Sequence, residues 1–374
     1  MSLRPPRPPL EALRGTGTLF LDAASALGRR AAARAAWPRR PLSFPESRTA
    51  LLFFEDVEAD RFFGGDRLLR RGARKLYHAV TRGPAISGFE VWFRSLRRAL
   101  ESAGWRVLVN QPEIARRNPT YPIGLLGYPH VLEAWDLPNP AVLGPGLFDH
   151  PALAPRLMAD PRFRVYLVTC EWMRQLFARS YGDACRCWHA GIDLSAWPDL
   201  SGRPKDLDFI VYDKIRWDRA RREVELLRPL RAELRRRGLS VRELRYGRYD
   251  LSEYRALLAR ARGLVYLAEH ETQGFAYQEA MATGTPILAW DPGLWLDPAR
   301  SRWEPDPVPA SSVPYFSPGC GERFMGPDEL PGALERFLAA RASYRPRRFV
   351  EERLSMEESA RAWIGAAAQA ARAV

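Results

Sequence analysis

Short apolar segments alternate with amphipathic helical segments along this chain, and the series occurs twice. The first series starts at TALLFFED (49–56) and the second at DFIVYDK (208–214). Strands that alternate with helices predict a parallel sheet covered by helices on both faces. The sequence therefore predicts an α/β protein with two Rossmann-like domains facing each other across a cleft, and a length of 374 residues also favours two domains.

A linker between the two series sets the predicted domain boundaries. A segment near residue 200 that contains Pro, Gly and Ser separates an N-terminal domain, 49–200, from a C-terminal domain, 206–350. The last residues, 351–374, contain a predicted helix that begins at a capping box of Ser355 with Glu358. We expect this helix to cross back to the N-terminal domain. The other predicted strands are 105–111, 122–128, 141–146, 164–170, 241–247, 264–269 and 286–291, and the other predicted helices are 89–104, 220–238, 252–263 and 275–283.

Positive charge is concentrated near the N-terminus. The net charge is +13, and the first hundred residues hold 19 basic and 9 acidic side chains. Such a surface is typical of proteins that contact anionic lipids, phosphorylated acceptors or nucleic acid, although a solvated arginine-rich face has the same composition. The leader, 1–48, is rich in Pro, Ala and Arg, and it either forms an amphipathic helix on a membrane surface or is disordered.

The same composition argues against several classes of protein. No run of eighteen or more uncharged apolar residues occurs, so we predict no membrane-spanning segment. The four cysteines are too few and too irregularly spaced for a disulfide framework or a zinc site, which favours a reducing cytoplasm.

The strongest site signal is the stretch HETQGFAYQEAMATGTPILAWD, which begins at residue 270. Gly274 allows a tight turn into a helix, and the first N–H groups of that helix, around Gly274, Phe275 and Ala276, are free to bind a diphosphate. Glu271 precedes the helix and Glu279 lies just over one turn inside it. Because sugar and ribose hydroxyls donate hydrogen bonds, the two carboxylates fit a nucleotide-sugar. The alternative is a surface helix with two solvated glutamates.

This stretch resembles the nucleotide-sugar signature of the retaining glycosyltransferases of family 4, which have the GT-B two-domain fold. The likeness covers most of residues 49–370, and WHAGIDLSAWP (188–198) resembles the interdomain linker of that family. The resemblance implies that Glu271 binds the donor sugar, that Glu279 binds ribose and that Gly274 is the family glycine. Gln273 stands where the family usually has phenylalanine.

The family also carries two basic residues, five or six apart, that neutralise the donor diphosphate after the first strand of the C-terminal domain. In KIRWDRARRE the resemblance indicates Lys214 and Arg219, with Arg216 and Arg221 as alternatives. Only three of the 57 basic residues are lysines, so the choice of Lys214 at a strand end is notable. An exposed basic helix start is the structural alternative.

The resemblance marks three further positions. Gly247, in RYGRYD, falls in the loop that holds the nucleobase by backbone contacts. His150, in GPGLFDHP, falls where the family often has a histidine near the transferred sugar, although a surface histidine in a turn is the alternative. Gly88, before the helix 89–104, matches the glycine on the acceptor side. The basic and aromatic insertion 61–88 is expected to contact the acceptor or a membrane.

The resemblance implies a hexosyltransferase-like, metal-independent enzyme of bacterial polysaccharide or glycolipid biosynthesis. It would move a sugar from a nucleoside diphosphate to a hydroxyl of a lipid-linked acceptor or a cell-surface glycan, with retention of anomeric configuration. Lys214, Glu271 and His150 are the expected catalytic residues, and no cofactor or metal is expected, since Asp206-Leu-Asp208 opens a strand and is interpreted as linker. The expected location is the cytoplasm, with peripheral contact to the inner face of an anionic plasma membrane.

Three alternatives differ in class. A dinucleotide-dependent oxidoreductase would need a G-x-G-x-x-G between a strand and a helix, which the sequence lacks. A nucleic-acid-binding protein is consistent with the basic first hundred residues but leaves the stretch from residue 270 unexplained. A transferase-like fold without activity, acting as a binding partner, is consistent with the pattern, but the presence of Glu271, Glu279 and Lys214 argues against it.

Overall fold

The computed structural model describes residues 41–55, 69, 72, 88–132 and 135–372. Contacts divide the chain into Met1–Ser43 and Phe44–Val374, and all elements below belong to the second unit. Most of the predicted leader, 1–48, and most of the basic insertion, 61–88, lie outside the described residues. Within the part of the chain that the structure describes, no helix is long and apolar enough to cross a bilayer.

Six parallel strands form the N-terminal sheet in the order β2-β1-β3-β4-β5-β6. Ala50, Leu51 and Leu52 of β1 are at most 1% exposed, so both faces of this strand are covered. This explains the unbroken apolar run in the sequence, which is typical of parallel strands. The strands are β1 Thr49–Glu55, β2 Arg106–Val109, β3 Ile123–Gly127, β4 Ala141–Leu143, β5 Phe163–Val168 and β6 Cys185–Cys187.

Five parallel strands form the C-terminal sheet in the order β11-β10-β9-β7-β8. Successive residues of β7 pack into different cores: Ile210 and Tyr212 on one face, Phe209 and Val211 on the other. Helices therefore cover both faces of this sheet as well. The strands are β7 Leu207–Asp213, β8 Val241–Arg245, β9 Ala261–Leu267, β10 Ile287–Trp290 and β11 Gly321–Phe324.

Most of the helices lie in the connections between parallel strands, and the last three follow β11. They are α1 Gly88–Ser102, α2 Pro112–Arg117, α3 Glu171–Tyr181, α4 Arg219–Arg222, α5 Arg228–Arg236, α6 Leu251–Leu258, α7 Phe275–Ala282, α8 Leu330–Ala340, α9 Pro346–Arg353 and α10 Met356–Arg372. A π turn, Glu223–Leu227, joins α4 to α5, so the predicted helix over 220–238 is not a uniform α-helix. Two parallel sheets with helical connections confirm the predicted fold class.

The C-terminal helix α10 packs against the N-terminal sheet, next to α1. Trp363 and Ala367 of α10 are buried in the same core as Leu52 and Leu96. The Ser355 hydroxyl accepts a hydrogen bond from the N–H of Glu358 at 3.3 Å, as the capping box predicts.

Several boundaries differ from the sequence prediction for identifiable reasons. The strand predicted over 141–146 ends at Leu143, because Gly144 and Gly146 have φ values of +85° and +84°. The strand predicted over 264–269 begins earlier, at Ala261, since Ala261 pairs with Leu207 of β7. Strands β6 and β11 and helices α2 and α3 had no prediction, and helices α8 and α9 had no predicted bounds.

Gly191 lies where the interdomain linker meets α10, and a substitution there tests how closely the two segments pack. A Cβ at Gly191 would lie 2.6 Å from Met356 Cα, which is backbone and cannot rotate away. We expect Gly191→Ala to lower the free energy of unfolding by about 1–3 kcal/mol, because overpacking forces the helix start to move. Gly202→Ala is the matched control, since nothing lies within 4 Å of its Cβ position. Urea unfolding curves of the two variants should differ, and equal midpoints would contradict the close approach.

Candidate functional site

The two main predicted charged groups leave adjacent strands at the carboxyl edge of the C-terminal sheet. Asp213, at the end of β7, is the register partner of Leu267, at the end of β9. The N–H of Lys214 continues this pairing and donates to the Leu267 carbonyl at 2.8 Å. Glu271 follows β9 by four residues, so both side chains start from the same edge, where open parallel sheets bind ligands.

A nearly buried ion pair joins Lys214 to Glu271. The Lys214 ammonium lies 2.5 Å from Glu271 Oε1, and the two side chains are 12% and 9% exposed. The Tyr266 hydroxyl donates a hydrogen bond to the same carboxylate oxygen at 2.8 Å. Removing one member of such a pair is costly, because each charge has already lost most of its water. A ligand that separates the pair must offer each group a new partner.

Gly274 makes the turn into α7. Its φ is +84°, and a Cβ at this position would lie 2.2 Å from Tyr277 Cε1, so any side chain would meet both strain and a clash. The next two residues, Phe275 and Ala276, are half-buried and begin the helix. Their N–H groups have no acceptor within the helix, so the helix start can bind an anion at its positive end.

Glu279 lies one turn beyond that start, on α7. Its carboxyl is half-buried, and among the described residues it forms neither a hydrogen bond nor an ion pair. Burial raises the pKa of Glu279 to about 8, while the nearby charge of Arg255 acts in the opposite direction. A buried carboxyl group with unused acceptor capacity fits a ligand that brings hydroxyl donors.

The loop after β8 presents an exposed aromatic ring beside Lys214. Gly247 has a φ of +75°, which turns the chain away from the strand. Tyr246, one residue earlier, is 52% exposed, and its ring centroid lies 4.8 Å from the Lys214 ammonium and 5.9 Å from the Arg216 guanidinium. The resemblance assigned mainly backbone contacts to this loop. The exposed aromatic residue at a strand end was the signal that it missed.

The predicted cations differ in how far their charges are already paired. Arg219 forms an ion pair with Asp213 at 2.6 Å, and Arg221 forms one with Glu225 at 2.8 Å. The Arg216 guanidinium has no carboxylate partner within the described part of the chain and is exposed. Arg216 is therefore the cation near Lys214 with the most unused charge.

A carboxylate that the sequence analysis did not select holds this cationic loop. Glu269 is 2% exposed, and its carboxylate accepts hydrogen bonds from the N–H of Arg216 at 3.0 Å and of Trp217 at 3.1 Å. Burial raises the pKa of Glu269, and the two backbone donors act against that rise. Glu269 thus positions the loop that carries Arg216.

His150 is buried, and both nitrogens of its ring have partners within the protein. Its Nδ1 accepts a hydrogen bond from the N–H of Ala152, and its Nε2 lies 3.1 Å from Glu304 Oε1. Its ring stacks on Trp303 at a centroid distance of 5.1 Å. The His150 ring also stacks on Trp295, which in turn makes an edge-to-face contact with His270, the neighbour of Glu271. Gly88, the other predicted residue of the N-terminal domain, is the first residue of α1.

Two contacts fasten the 271–274 segment to the N-terminal half of the protein. Gln273 is 1% exposed, and its amide pairs with both backbone groups of Ala190: Nε2 donates to the carbonyl at 2.6 Å and Oε1 accepts from the N–H at 3.0 Å. Trp172 Nε1, on α3, donates to the carbonyl of Glu271 at 2.9 Å. The departure from the family phenylalanine at position 273 therefore ties this segment to the interdomain linker.

No metal cluster is evident among the described residues, where no three His, Cys, Asp or Glu side chains converge in a way that could hold an ion. Asp206 pairs with Arg260 at 2.7 Å, and Asp208 accepts hydrogen bonds from Ser240. The Asp206-Leu-Asp208 motif thus lies at the amino end of β7, away from Lys214.

The chain matches solved structures, whereas no family model and no curated protein matches it. AviGT4, a glycosyltransferase involved in avilamycin A biosynthesis, matches with a TM-score of 0.50 at 13% identity, over 86% of this chain and 98% of AviGT4. The catalytic domain of starch synthase IV from Arabidopsis thaliana, bound to ADP and acarbose, gives a TM-score of 0.49 at 10% identity, over 86% of this chain and 99% of the domain. The lipopolysaccharide outer core galactosyltransferase WaaB gives 0.45 at 11% identity, over 85% of this chain and 98% of its own. The AviGT4 match and the two parallel sheets establish that this chain has the GT-B fold.

Proposed function

We propose that this protein is a metal-independent glycosyltransferase of the hexosyltransferase type, which transfers a sugar from a nucleoside diphosphate sugar to a hydroxyl group with retention of configuration. The observation that carries this proposal is the Lys214–Glu271 ion pair, which lies beside the helix start after Gly274. A diphosphate needs cations and N–H donors, and a sugar needs a hydrogen-bond acceptor. This site offers each of them at one edge of the sheet, from the loops that follow β7 and β9.

Donor binding exchanges the partners of the ion pair. Lys214 leaves Glu271 for the diphosphate, and Glu271 accepts hydrogen bonds from hydroxyls of the transferred sugar. Arg216 and Arg219 and the first N–H groups of α7 add positive potential around the same phosphates. Because breaking the pair leaves each buried charge without its partner, a donor with both sugar and diphosphate opens the site at the lowest cost, and a nucleoside diphosphate alone opens it at a higher cost.

The rest of the donor fits the neighbouring residues. Glu279 accepts hydrogen bonds from the ribose hydroxyls, since its carboxyl has acceptor capacity that the described residues leave unused. The nucleobase lies in the loop at Gly247 and stacks against the exposed ring of Tyr246.

The main catalytic contribution is stabilisation of the departing diphosphate. The bond between the anomeric carbon and the phosphate oxygen breaks, and its electron pair remains on the phosphate. The acceptor oxygen bonds to the anomeric carbon on the same face, and the acceptor proton moves to the departing phosphate oxygen. Lys214 and the helix start stabilise the added negative charge, Glu271 orients the sugar, and His150 remains a predicted catalytic residue on the sugar side.

The acceptor is proposed to be a glycan or a lipid-linked hydroxyl compound. The basic first hundred residues fit peripheral contact with an anionic membrane at the inner face of a bacterial plasma membrane. Gly88, at the start of α1, is the proposed close-approach position on the acceptor side.

The first test separates the two members of the ion pair. We expect Lys214→Met to weaken binding of a nucleoside diphosphate and to lower turnover about 100-fold or more, because leaving-group stabilisation is lost. Glu271→Gln should lower turnover while nucleoside diphosphate binding stays equal or becomes tighter, because Lys214 no longer has a competing carboxylate. Calorimetric titration with UDP, GDP and ADP, and release of nucleotide from the matching sugars, measure the two effects.

Arg221→Ala is the matched control for these variants. Arg221 lies close in sequence to Lys214, but its exposed side chain pairs with Glu225. Its removal should leave nucleotide release unchanged. Wild-type activity in Lys214→Met, or equal loss in Arg221→Ala, would contradict the assignment of Lys214 as the phosphate ligand.

The second test uses the raised pKa of Glu279. The folded protein holds this proton up to about pH 8, whereas the unfolded chain releases it near 4.5. The native state therefore binds more protons than the unfolded state between these values, and this group lowers the free energy of unfolding as the pH rises through that window. Glu279→Gln should remove this decline, so its melting temperature should exceed that of the wild type most clearly above pH 8. Parallel curves of melting temperature against pH for the two proteins would refute the raised pKa.

The same titration should appear in donor binding. Only the carboxylate form accepts hydrogen bonds from both ribose hydroxyls, so wild-type affinity for the nucleoside diphosphate should rise as the pH approaches 8. In Glu279→Gln the affinity should be lower and should lack this rise. A nucleoside diphosphate that contains deoxyribose is the comparison ligand. It offers Glu279 one hydroxyl group fewer, so its affinity should depend less on pH.

A further inference from the structure

A basic recess lies at the opposite edge of the C-terminal sheet from Lys214. Its volume is about 330 Å³, and Ala261 and Pro286, at the amino ends of β9 and β10, line it. Strand β7 has seven residues, so the two edges are separated by roughly 20 Å. The recess is thus independent of the proposed donor site.

Four cations line this recess: Lys205, Arg262, Arg341 and Arg345. The only carboxylate that pairs with any of them is Asp208, among the described residues. Asp208 lies 3.3 Å from Arg262 and 3.7 Å from Arg341. The lining therefore carries three more positive than negative charges.

Two of these cations have only carbonyl partners. The half-buried Lys205 ammonium donates to the carbonyl of Leu258 at 2.9 Å, and no carboxylate of the described residues lies within ion-pair distance of it. Arg345 donates to the carbonyls of Ala342 and Tyr344, at 2.7 and 2.8 Å. Both groups keep unused N–H donors, since an ammonium has three and a guanidinium five.

The remaining acids near the recess are engaged elsewhere. Asp206 pairs with Arg260, and Glu322 lies 3.1 Å from Arg336. The Asp199 carboxylate accepts a hydrogen bond from the N–H of Ser201, and its charge acts on Lys205 only at a distance. Asp206 and Glu322 therefore do not neutralise the excess positive charge at the recess, and Asp199 offsets one charge of it at most.

Capping of helix ends explains only part of this arrangement. Lys205 reaches a carbonyl at the end of α6, which is a common use of a cation. The C-terminal end of α7, however, is already capped by Arg347, which donates to the carbonyl of Ala282 at 2.7 Å. Capping therefore does not require four cations around one cavity.

We propose that this recess binds a small phosphate-bearing anion from solution, at a site separate from the donor diphosphate. A cavity of this size is in the range that small-ligand sites occupy, and a phosphate oxygen is the acceptor that clustered ammonium and guanidinium groups prefer. Gly284 and Thr285 also line the recess and follow the C-terminal end of α7, the helix that carries Glu279 at its fifth residue and the proposed diphosphate site at its start. A ligand at the recess therefore contacts the far end of the helix that holds the proposed donor.

The test measures binding of inorganic phosphate to the full chain by calorimetry and by thermal shift. Because the donor site also binds phosphate, the experiment uses Lys214→Met as the background in which that site is weakened. We expect this background protein to retain a phosphate site, and the addition of Lys205→Met to weaken it about tenfold or more. Methionine keeps the length of the apolar side chain, so packing around the stem is preserved.

A second variant adds an anion to the recess without removing a cation. Ala342 is exposed and lines the recess, so Ala342→Glu should place a competing carboxylate there and weaken phosphate binding with little effect on the fold. Arg348→Ala is the matched control, because Arg348 is 75% exposed and pairs with Glu352 outside this cavity. It should bind phosphate like the background protein.

The measurements distinguish a site for a soluble phosphate from a site for a lipid headgroup and from the absence of any anion site. The proposal is overturned if the background protein binds no phosphate, or if Lys205→Met and Ala342→Glu bind it as tightly as the Arg348→Ala control. Flotation with phosphatidylglycerol vesicles tests the other source of the same chemistry. Loss of vesicle binding in Lys205→Met, without any loss of free phosphate binding, would identify a lipid headgroup and reject a soluble ligand.

Discussion

The pairing of β7 with β9 is the constraint on which the site depends. Because these strands are neighbours in register, the residues that follow them, Lys214 and Glu271, leave the sheet side by side. The charge pair is therefore a consequence of strand order and does not require a specialised loop. Tyr266, on β9 itself, then holds the carboxylate from within the sheet. A shift of one residue in either strand would send one of the two charges to the opposite face.

A second consequence is that the donor segment belongs to both halves of the protein. Gln273 binds both backbone groups of Ala190, and Trp172 binds the carbonyl of Glu271. The linker is held in turn by the C-terminal segment, since the N–H of Ile192 donates to the carbonyl of Leu354. Any movement of one domain against the other must therefore displace the segment that contains Glu271, which couples the geometry of the cleft to the orientation of this carboxylate.

The sequence predicted those features that depend on local pattern. Nine of the eleven strands were predicted. Most of them are apolar runs, because parallel strands covered on both faces have few polar interruptions. The edge strand β8 is an exception, since three of its five residues are exposed. The turn at Gly274 followed from a recognisable motif, whereas the ion pair between Lys214 and Glu271 was not predicted. Strand β6 was missed because its sequence, Cys185–Cys187, is three residues long and has an exposed arginine at its centre.

Contacts between residues far apart in sequence were not predictable in this way. Gln273 differs from the family pattern by one residue, and nothing in the sequence indicates that its partner is the backbone of Ala190, 83 residues earlier. Glu269 has the appearance of an ordinary acid after a strand, yet it is buried and holds the N–H groups of a different loop. Such roles depend on which loops the fold brings together. His150 is a further example, because this position was selected by resemblance and its contacts with Trp303 and with Glu304, 154 residues later, were not predicted.

The positions of the few lysines in this chain have a chemical explanation. The chain has 54 arginines and three lysines, yet two of those lysines, Lys205 and Lys214, flank β7 at its two ends. Both are largely shielded from solvent, with their charge directed into a confined space: Lys214 toward Glu271, and Lys205 toward a carbonyl at the recess. A compact ammonium fits such a space and can change partners by rotating, whereas a planar guanidinium requires a wider site and a fixed set of acceptors. This protein otherwise uses arginine, but β7 has a lysine near each end. Each ammonium group can exchange its present partner for an anion, so the sheet is suited to binding anions at both edges.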